Sequence, residues 1–129
     1  MSNLLNSTSI AMLEKKLDAV WLKQQVIAGN IANASTPGYK SKSVEFESAL
    51  KRELSMVSAG EDDVRDALNR VVPRIVRQQG TSAREDGNNV DQVSESIEMA
   101  RALIEYSYLC NSLTAEINRM KYVVTEGRG

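Results

Sequence analysis

The sequence predicts a mainly α-helical protein. Long heptad helices at the two ends pack as an antiparallel, coiled-coil-like pair, joined by a small irregular middle segment of short helix and little β. Three observations predict it. Apolar residues recur in alternating steps of three and four near both ends, strong turn residues stop the first run abruptly, and the stretch between the runs keeps no sustained period. The units are an N-terminal coiled-coil helix over 1–34, a turn, linker and irregular segment over 35–88, and a C-terminal coiled-coil helix over 89–129. Together they form one structural domain, since 129 residues with a 42% hydrophobic fraction support one modest core.

The first helix is read from Ile10, Leu13, Leu17, Val20, Gln24, Ile27 and Ile31, a coiled-coil seam with one polar interruption at Gln24. At about 25 residues it would span roughly 38 Å. Its outer side is also apolar: Trp21 flanks the seam, and Leu22 and Val26 lie on the far side one turn apart. A helix that is apolar nearly all round is a buried helix, which makes Trp21, Leu22 and Val26 candidates for an outer interface. Gly29 either admits the close approach of another backbone or begins the helix end.

The helix exit reads NIANASTPGY, from Asn30 to Tyr39. Asn30 and Asn33 fall in the last turns, where short amides take left-handed conformations or satisfy orphan carbonyls. Pro37 presets φ for the second turn position and Gly38 accepts positive φ at the third, so Thr36, Pro37, Gly38 and Tyr39 form a type II turn. These residues shape backbone and do no chemistry.

Beyond the turn, Val44, Phe46, Leu50 and Leu54 suggest an extended exit followed by a short helix, and residues 56–60 read as a linker. Glu61, Asp62 and Asp63 precede Val64, Ala67, Leu68 and Val71, which places acids in the first turn of a second short helix rather than around a metal. The stretch RVVPRIVRQQ is β-like, but Pro73 removes a ladder donor and confines it to an edge or irregular strand. The polar loop TSAREDGNN turns at Gly87. Its DGNNVD continuation places glycine second, so it is not a calcium loop.

The second long helix starts near Asn89, where Asn89 and Gln92 have capping-box spacing and Asp91 suits the positive end of the helix dipole. Its seam runs Met99, Leu103, Tyr106, Cys110, Leu113, Ile117, Met120 and Val124, and a second stripe of Val93, Ile97, Ala100 and Ile104 widens its start. Tyr108 and Tyr122 fall opposite the seam with Ala115 between them and complete the candidate outer interface. Apolar faces left over after one helix pairs with another suit a heterologous contact with neighbouring copies, the mark of a polymer building block.

Several function classes are not expected. A net charge of −1, with interspersed signs, gives no nucleic-acid footprint and no polybasic membrane patch. No apolar run reaches a membrane-spanning length, and MSNLLNSTSIAM lacks the parts of a secretory signal. The chain therefore carries no expectation of membrane insertion or of a Sec signal peptide, and its two Asn-x-Ser/Thr matches read as chance. Histidine is absent, and no phosphate loop, nucleophile elbow or cysteine pair occurs, so neither an enzyme, a cofactor nor a metal site is expected. The lone Cys110 reads as a small core residue. Glu95, Glu98 and Glu105, beside Arg101, read as a solvated helix face.

NIANASTPGYK after an amphipathic helix resembles the signature of bacterial flagellar rod and hook proteins, and within them the proximal rod family of the basal body. The resemblance covers roughly the first 50 residues and resumes at DGNNVD, Asp86 to Asp91, with Glu95, Ala100 and Tyr106 also at family positions. Arg101 and Ala102 stand where that family has Glu and Asn. The resemblance implies a structural subunit that polymerises through its terminal helices into the torque-transmitting rod. It also implies partners in itself, other rod subunits, and proteins at the rod base near the membrane ring and export gate. The implied location is the periplasmic side of the basal body, reached by flagellar type III export. Other readings are a neighbouring axial subunit, which the short length disfavours, and a soluble helical adaptor or chaperone that binds one partner helix.

Overall fold

A computed structural model describes residues 2–58, 60–80, 82 and 84–127, with side chains from 7 onward and without that of residue 61. The ends of both outer units, Thr81 and Ala83 of the polar loop, and the Glu61 carboxylate of the acidic triplet therefore lie outside the description. The elements run α1 (Ser2–Ala32), β1 (Lys42–Glu45), α2 (Glu47–Ser55), α3 (Glu61–Arg70), β2 (Arg74–Arg77) and α4 (Gln92–Glu126). None of the helices is long and apolar enough to cross a membrane among the described residues.

α1 and α4, at 31 and 35 residues, are the long terminal helices the heptads predict, and they pack against each other. They run antiparallel: Asn30 meets Glu95, Gln24 meets Ala102, and Ile10 lies beside Ile117 and Val124. Val20 and Ile27 on α1 bury against Ala102 and Leu109 on α4, with Leu13, Leu17, Ile31, Met99 and Tyr106 packed around them. Gln24, the polar seam residue, donates its side-chain N–H to the Ala102 carbonyl at 3.4 Å. An amide in an apolar seam needs such a partner, because leaving it unmade costs about 1–3 kcal/mol.

The seam of α4 is rotated from the one periodicity suggests. Met99 and Tyr106 face α1 as expected, but Leu103 is 55% exposed and Cys110 only half-buried, whereas Ile117 and Val124, 38% and 52% exposed, stay on the α1 side and line the open groove beside Ile10. Ala102 and Leu109 take the inner positions instead. Steps of four and three fit either side of the Met99–Tyr106 line, and apolar residues occupy both. The smaller Ala102 admits α1 closely enough for the Gln24 bond, so close packing decides the choice.

The middle segment supplies the second partner of α1. β1 and β2 pair antiparallel in the register Lys42↔Arg77 to Glu45↔Arg74. Pro73 sits just ahead of β2, which keeps its missing donor out of the ladder. Phe46, Leu50, Leu68 and Val71 close a small core on Ala19, flanked by Ala11, Met12 and Val64. Lys15 Nζ donates to the Val71 carbonyl at 3.2 Å and ties the end of α3 to α1. Thus α1 is apolar on two sides because it is covered on two sides, and Val26, expected on the outer interface, is buried where β1 crosses. Leu22 is half-buried, whereas Trp21 is 54% exposed.

Beyond its own helical turn, Gly29 has no atom of the described residues within 4 Å of the position a Cβ would take, so no other described backbone approaches it. Its carbonyl accepts both the main-chain and side-chain N–H of Asn33, which marks the helix end.

Candidate assembly surface and its polar clasp

The turn forms as its residues dictate. Tyr39 N–H donates to the Thr36 carbonyl at 3.2 Å, and Gly38 has φ of 71° at the third position. No described non-glycine residue has positive φ, so Asn33 caps the helix through its side chain, 2.8 Å from the Gly29 carbonyl, rather than by entering the left-handed region. Gly38→Ala meets no steric obstacle, yet its positive φ is costly for a side chain. A loss of about 1 kcal/mol, read by urea unfolding, is the expected outcome.

Around this turn the two stretches NIANASTPGY and DGNNVD, some fifty residues apart in the chain, close a clasp built on buried amides. Asn30 is fully buried, and all its hydrogen-bonding capacity is used. Its Nδ2 donates to the Lys42 carbonyl at 2.8 Å and to Glu95 Oε2 at 3.1 Å, while its Oδ1 accepts from Lys42 N–H at 2.9 Å and the Tyr39 hydroxyl at 3.3 Å. One side chain therefore joins the end of α1, the turn, β1 and the first turns of α4.

Asn88, also fully buried, does the same from the other stretch. Its Nδ2 donates to the Asn33 and Thr36 carbonyls at 2.8 and 2.9 Å, and its Oδ1 accepts from Val90 N–H at 2.8 Å. Gly38 N–H donates to the Asp86 carbonyl at 2.8 Å, and Lys40 Nζ to the Gly87 carbonyl at 2.6 Å. Arg84 donates to the Ala34 carbonyl at 2.8 Å and pairs with Asp86 at 3.0 Å. Gly87, at φ 76°, places a Cβ direction only 3.7 Å from Gly38 Cα, so the two glycine turns lie back to back.

Two expectations are corrected here. Asn89 does not open the second helix: its Oδ1 accepts from Ser41 N–H at 2.6 Å, and α4 begins at Gln92. Asp91 is the cap, accepting from Val93 and Ser94 N–H at 3.0 and 3.1 Å. Glu95 does not ride a solvated face, since it is half-buried on Asn30, whereas Glu98 pairs with Lys23 and Arg101 at 3.5 and 2.8 Å. Asn88 was not singled out by the sequence. Its signal was that DGNNVD resembles the same family as the first turn, and two such stretches flanking an unmatched middle are candidates to meet.

Opposite the clasped seam, α4 presents a second surface. At about 100° per residue, Val93, Ile97, Ala100, Ile104, Tyr108, Ala115 and Tyr122 share one side, half a turn from Met99, Ala102, Tyr106 and Leu109. Val93, Ile104, Tyr108 and Tyr122 are 71%, 72%, 69% and 64% exposed. The chain exposes 8643 Å², against about 6,800 Å² for a compact monomer of its 14.2 kDa mass. A helical hairpin held rigid at one end by buried amides, with a long apolar stripe turned outward, defines an assembly subunit.

The comparisons with known proteins agree. The family model described as flagella basal body rod protein matches residues 21–40, which contain the end of α1 and the turn. The flagellar basal body rod protein FlgB of Bacillus subtilis is 37% identical over 125 residues, covering 95% of this chain and 97% of that one. FlgB of Escherichia coli is 29% identical over 81% of this chain and 84% of its own, and FlgB of Borrelia hermsii 30% identical over 80% and 85%. The chain belongs to the FlgB family of flagellar basal body rod proteins. It is a structural subunit of the proximal rod.

Proposed function

We propose that this rod subunit polymerises through its terminal helices to build a torque-transmitting shaft, with the α1–α4 hairpin as wall and the outward stripe of α4 as the contact between neighbours. The observation that carries this reading is that stripe, seven residues aligned opposite the buried seam, with Tyr108 and Tyr122 prominent in it. Trp21, exposed on α1, joins the outer surface, and the open groove of Ile10, Ile117, Met120 and Val124 at the far end of the hairpin offers a further apolar contact. Stiffness under torque follows from apolar seams that exclude water and pack to interior density. The work is mechanical and calls on no catalytic group, metal or cofactor. The partners are further copies, other rod subunits and the proteins at the rod base near the membrane ring and export gate. The place of assembly is the periplasmic side of the basal body, reached through the flagellum's own export apparatus.

Before assembly the two ends of the hairpin differ. The clasp end has fully buried amides, whereas every described residue from 121 onward is exposed. In a dilute preparation, amides of residues 113–127 should exchange at least about a hundredfold faster than those of residues 95–109. Equal protection along both helices of the monomer contradicts the reading and favours a soluble adaptor, which would be fully folded alone. Imaging basal bodies from a strain lacking the gene tests the function itself: absence of the rod is expected, and an intact rod overturns it.

A further inference from the structure

We propose that the hollow between β1, α1 and α4 receives the basic strand β2 of a second copy of this chain, an inference that rests on the polymerising reading above. Two adjoining hollows of about 330 and 280 Å³ share Lys23 and Val44 in their linings. Their floor is apolar, formed by Val20, Val26, Val44 and Phe46, and their charged lining is net acidic, with Glu45, Glu47, Glu95, Glu98 and Glu105 against Lys23 and Lys42. Glu98 is taken up by Lys23 and Arg101, whereas Glu47 and Glu105 form no ion pair among the described residues.

The strand register shows which edge faces this hollow. Gln78 N–H donates to the Ser41 carbonyl at 2.8 Å, so Ser43↔Val76 and Glu45↔Arg74 are the hydrogen-bonded pairs. Lys42 and Val44 therefore turn their main-chain groups away from β2. Asn30 takes those of Lys42, and those of Val44 lie on the side of the hollow that Val44 lines. By the same register β2 turns the main-chain groups of Ile75 and Arg77 outward on the opposite edge of the two-stranded sheet, where no further strand pairs among the described residues.

Charge and shape select the occupant. Strand β2 and its approach present Val72, ahead of Arg74, and Ile75, between Arg74 and Arg77, 67% and 50% exposed, apolar residues next to cations that match an apolar floor with a net acidic rim. Arg77 also lies directly opposite Lys42, and like charges facing each other across a strand pair are unfavourable within the subunit. A neighbour's carboxylates relieve that repulsion. Because groove and strand lie on opposite edges of one sheet, the contact joins two different surfaces and propagates from copy to copy instead of closing a two-fold pair.

The test uses two full-length variants, each also carrying Cys110→Ser: Ser48→Cys on the groove and Ile75→Cys on the strand. Under mild oxidation at high concentration, a disulfide dimer is expected in the mixture and in neither variant alone. Adding Arg74→Glu and Arg77→Glu to the strand copy should lower its yield about tenfold, and Glu47→Lys with Glu105→Lys on the groove copy should restore it. A preparation that sediments as oligomers without the mixed dimer overturns the contact and leaves polymerisation standing. A preparation that stays monomeric at every concentration overturns both, and a dimer of Ile75→Cys alone overturns the heterologous geometry.

Discussion

Asn30→Ala is expected to lower the unfolding free energy of the isolated subunit by about 3 kcal/mol, because it strips partners from four groups at once. The Lys42 N–H and carbonyl lose their side-chain partner at the start of β1, Glu95 loses a donor on α4, and the Tyr39 hydroxyl loses its acceptor. Asn30→Asp should cost more although it preserves shape. A carboxylate cannot donate to the Lys42 carbonyl, and it places a second negative charge against Glu95 in a position that is 0% exposed. Urea unfolding followed by circular dichroism measures both. A loss below about 1 kcal/mol for Asn30→Ala would show that the clasp is decoration on a hairpin held by its apolar seam alone.

The second large effect separates folding from assembly. Leu109→Asp buries an unpaired charge at a position 5% exposed between the long helices, and a loss of about 4 kcal/mol is expected, enough to unfold a marginal subunit. Ile104→Asp changes the chemistry of α4 equally but at a position 72% exposed, so the isolated chain should keep its stability within about 0.5 kcal/mol. In the polymer that same charge enters an apolar contact, so Ile104→Asp cells should lack rods and fail to swim. Tyr108→Ala acts in the same direction more weakly. Normal swimming with Ile104→Asp rules out the outward stripe as the inter-subunit surface, whatever the fate of Leu109→Asp.

How much of this was legible in advance differs by element. The seam of α1 was readable because Leu13, Leu17, Val20, Ile27 and Ile31 keep coiled-coil spacing over three heptads, and that line faces α4. The seam of α4 was not, because Leu103 and Ala102, or Cys110 and Leu109, satisfy the same heptad equally well. Val26 was misplaced for a related reason: an apolar residue on the far side of a helix signals a second partner without saying whether that partner is another copy or the chain's own β1. The turn was readable at every position, since Pro37 and Gly38 restrict φ locally and no distant contact is needed to know it.

The clasp shows where local information ends. Asparagine at a helix exit predicts capping, and Asn33 caps. The side-chain N–H groups of Asn30 and Asn88 instead reach partners 12 and 65, and 52 and 55, positions away, and no local pattern encodes that. Likewise Asn89 and Asp91 both suit a helix start, and only the approach of Ser41 to Asn89 leaves the cap to Asp91.

By itself the sequence determined the helical class, the two long terminal helices, the stop at Asn30 to Tyr39 and the surplus of apolar surface, because each depends on periodicity or on the φ preferences of single residues. Tertiary structure alone decided which side of α4 faces inward, which apolar faces the chain covers for itself, and which amides bind the two ends of the middle segment together. The physical reason is that an amphipathic pattern fixes how many faces a helix must bury but leaves their partners open. That choice falls to close packing at Ala102 and to the complete hydrogen bonding of Asn30.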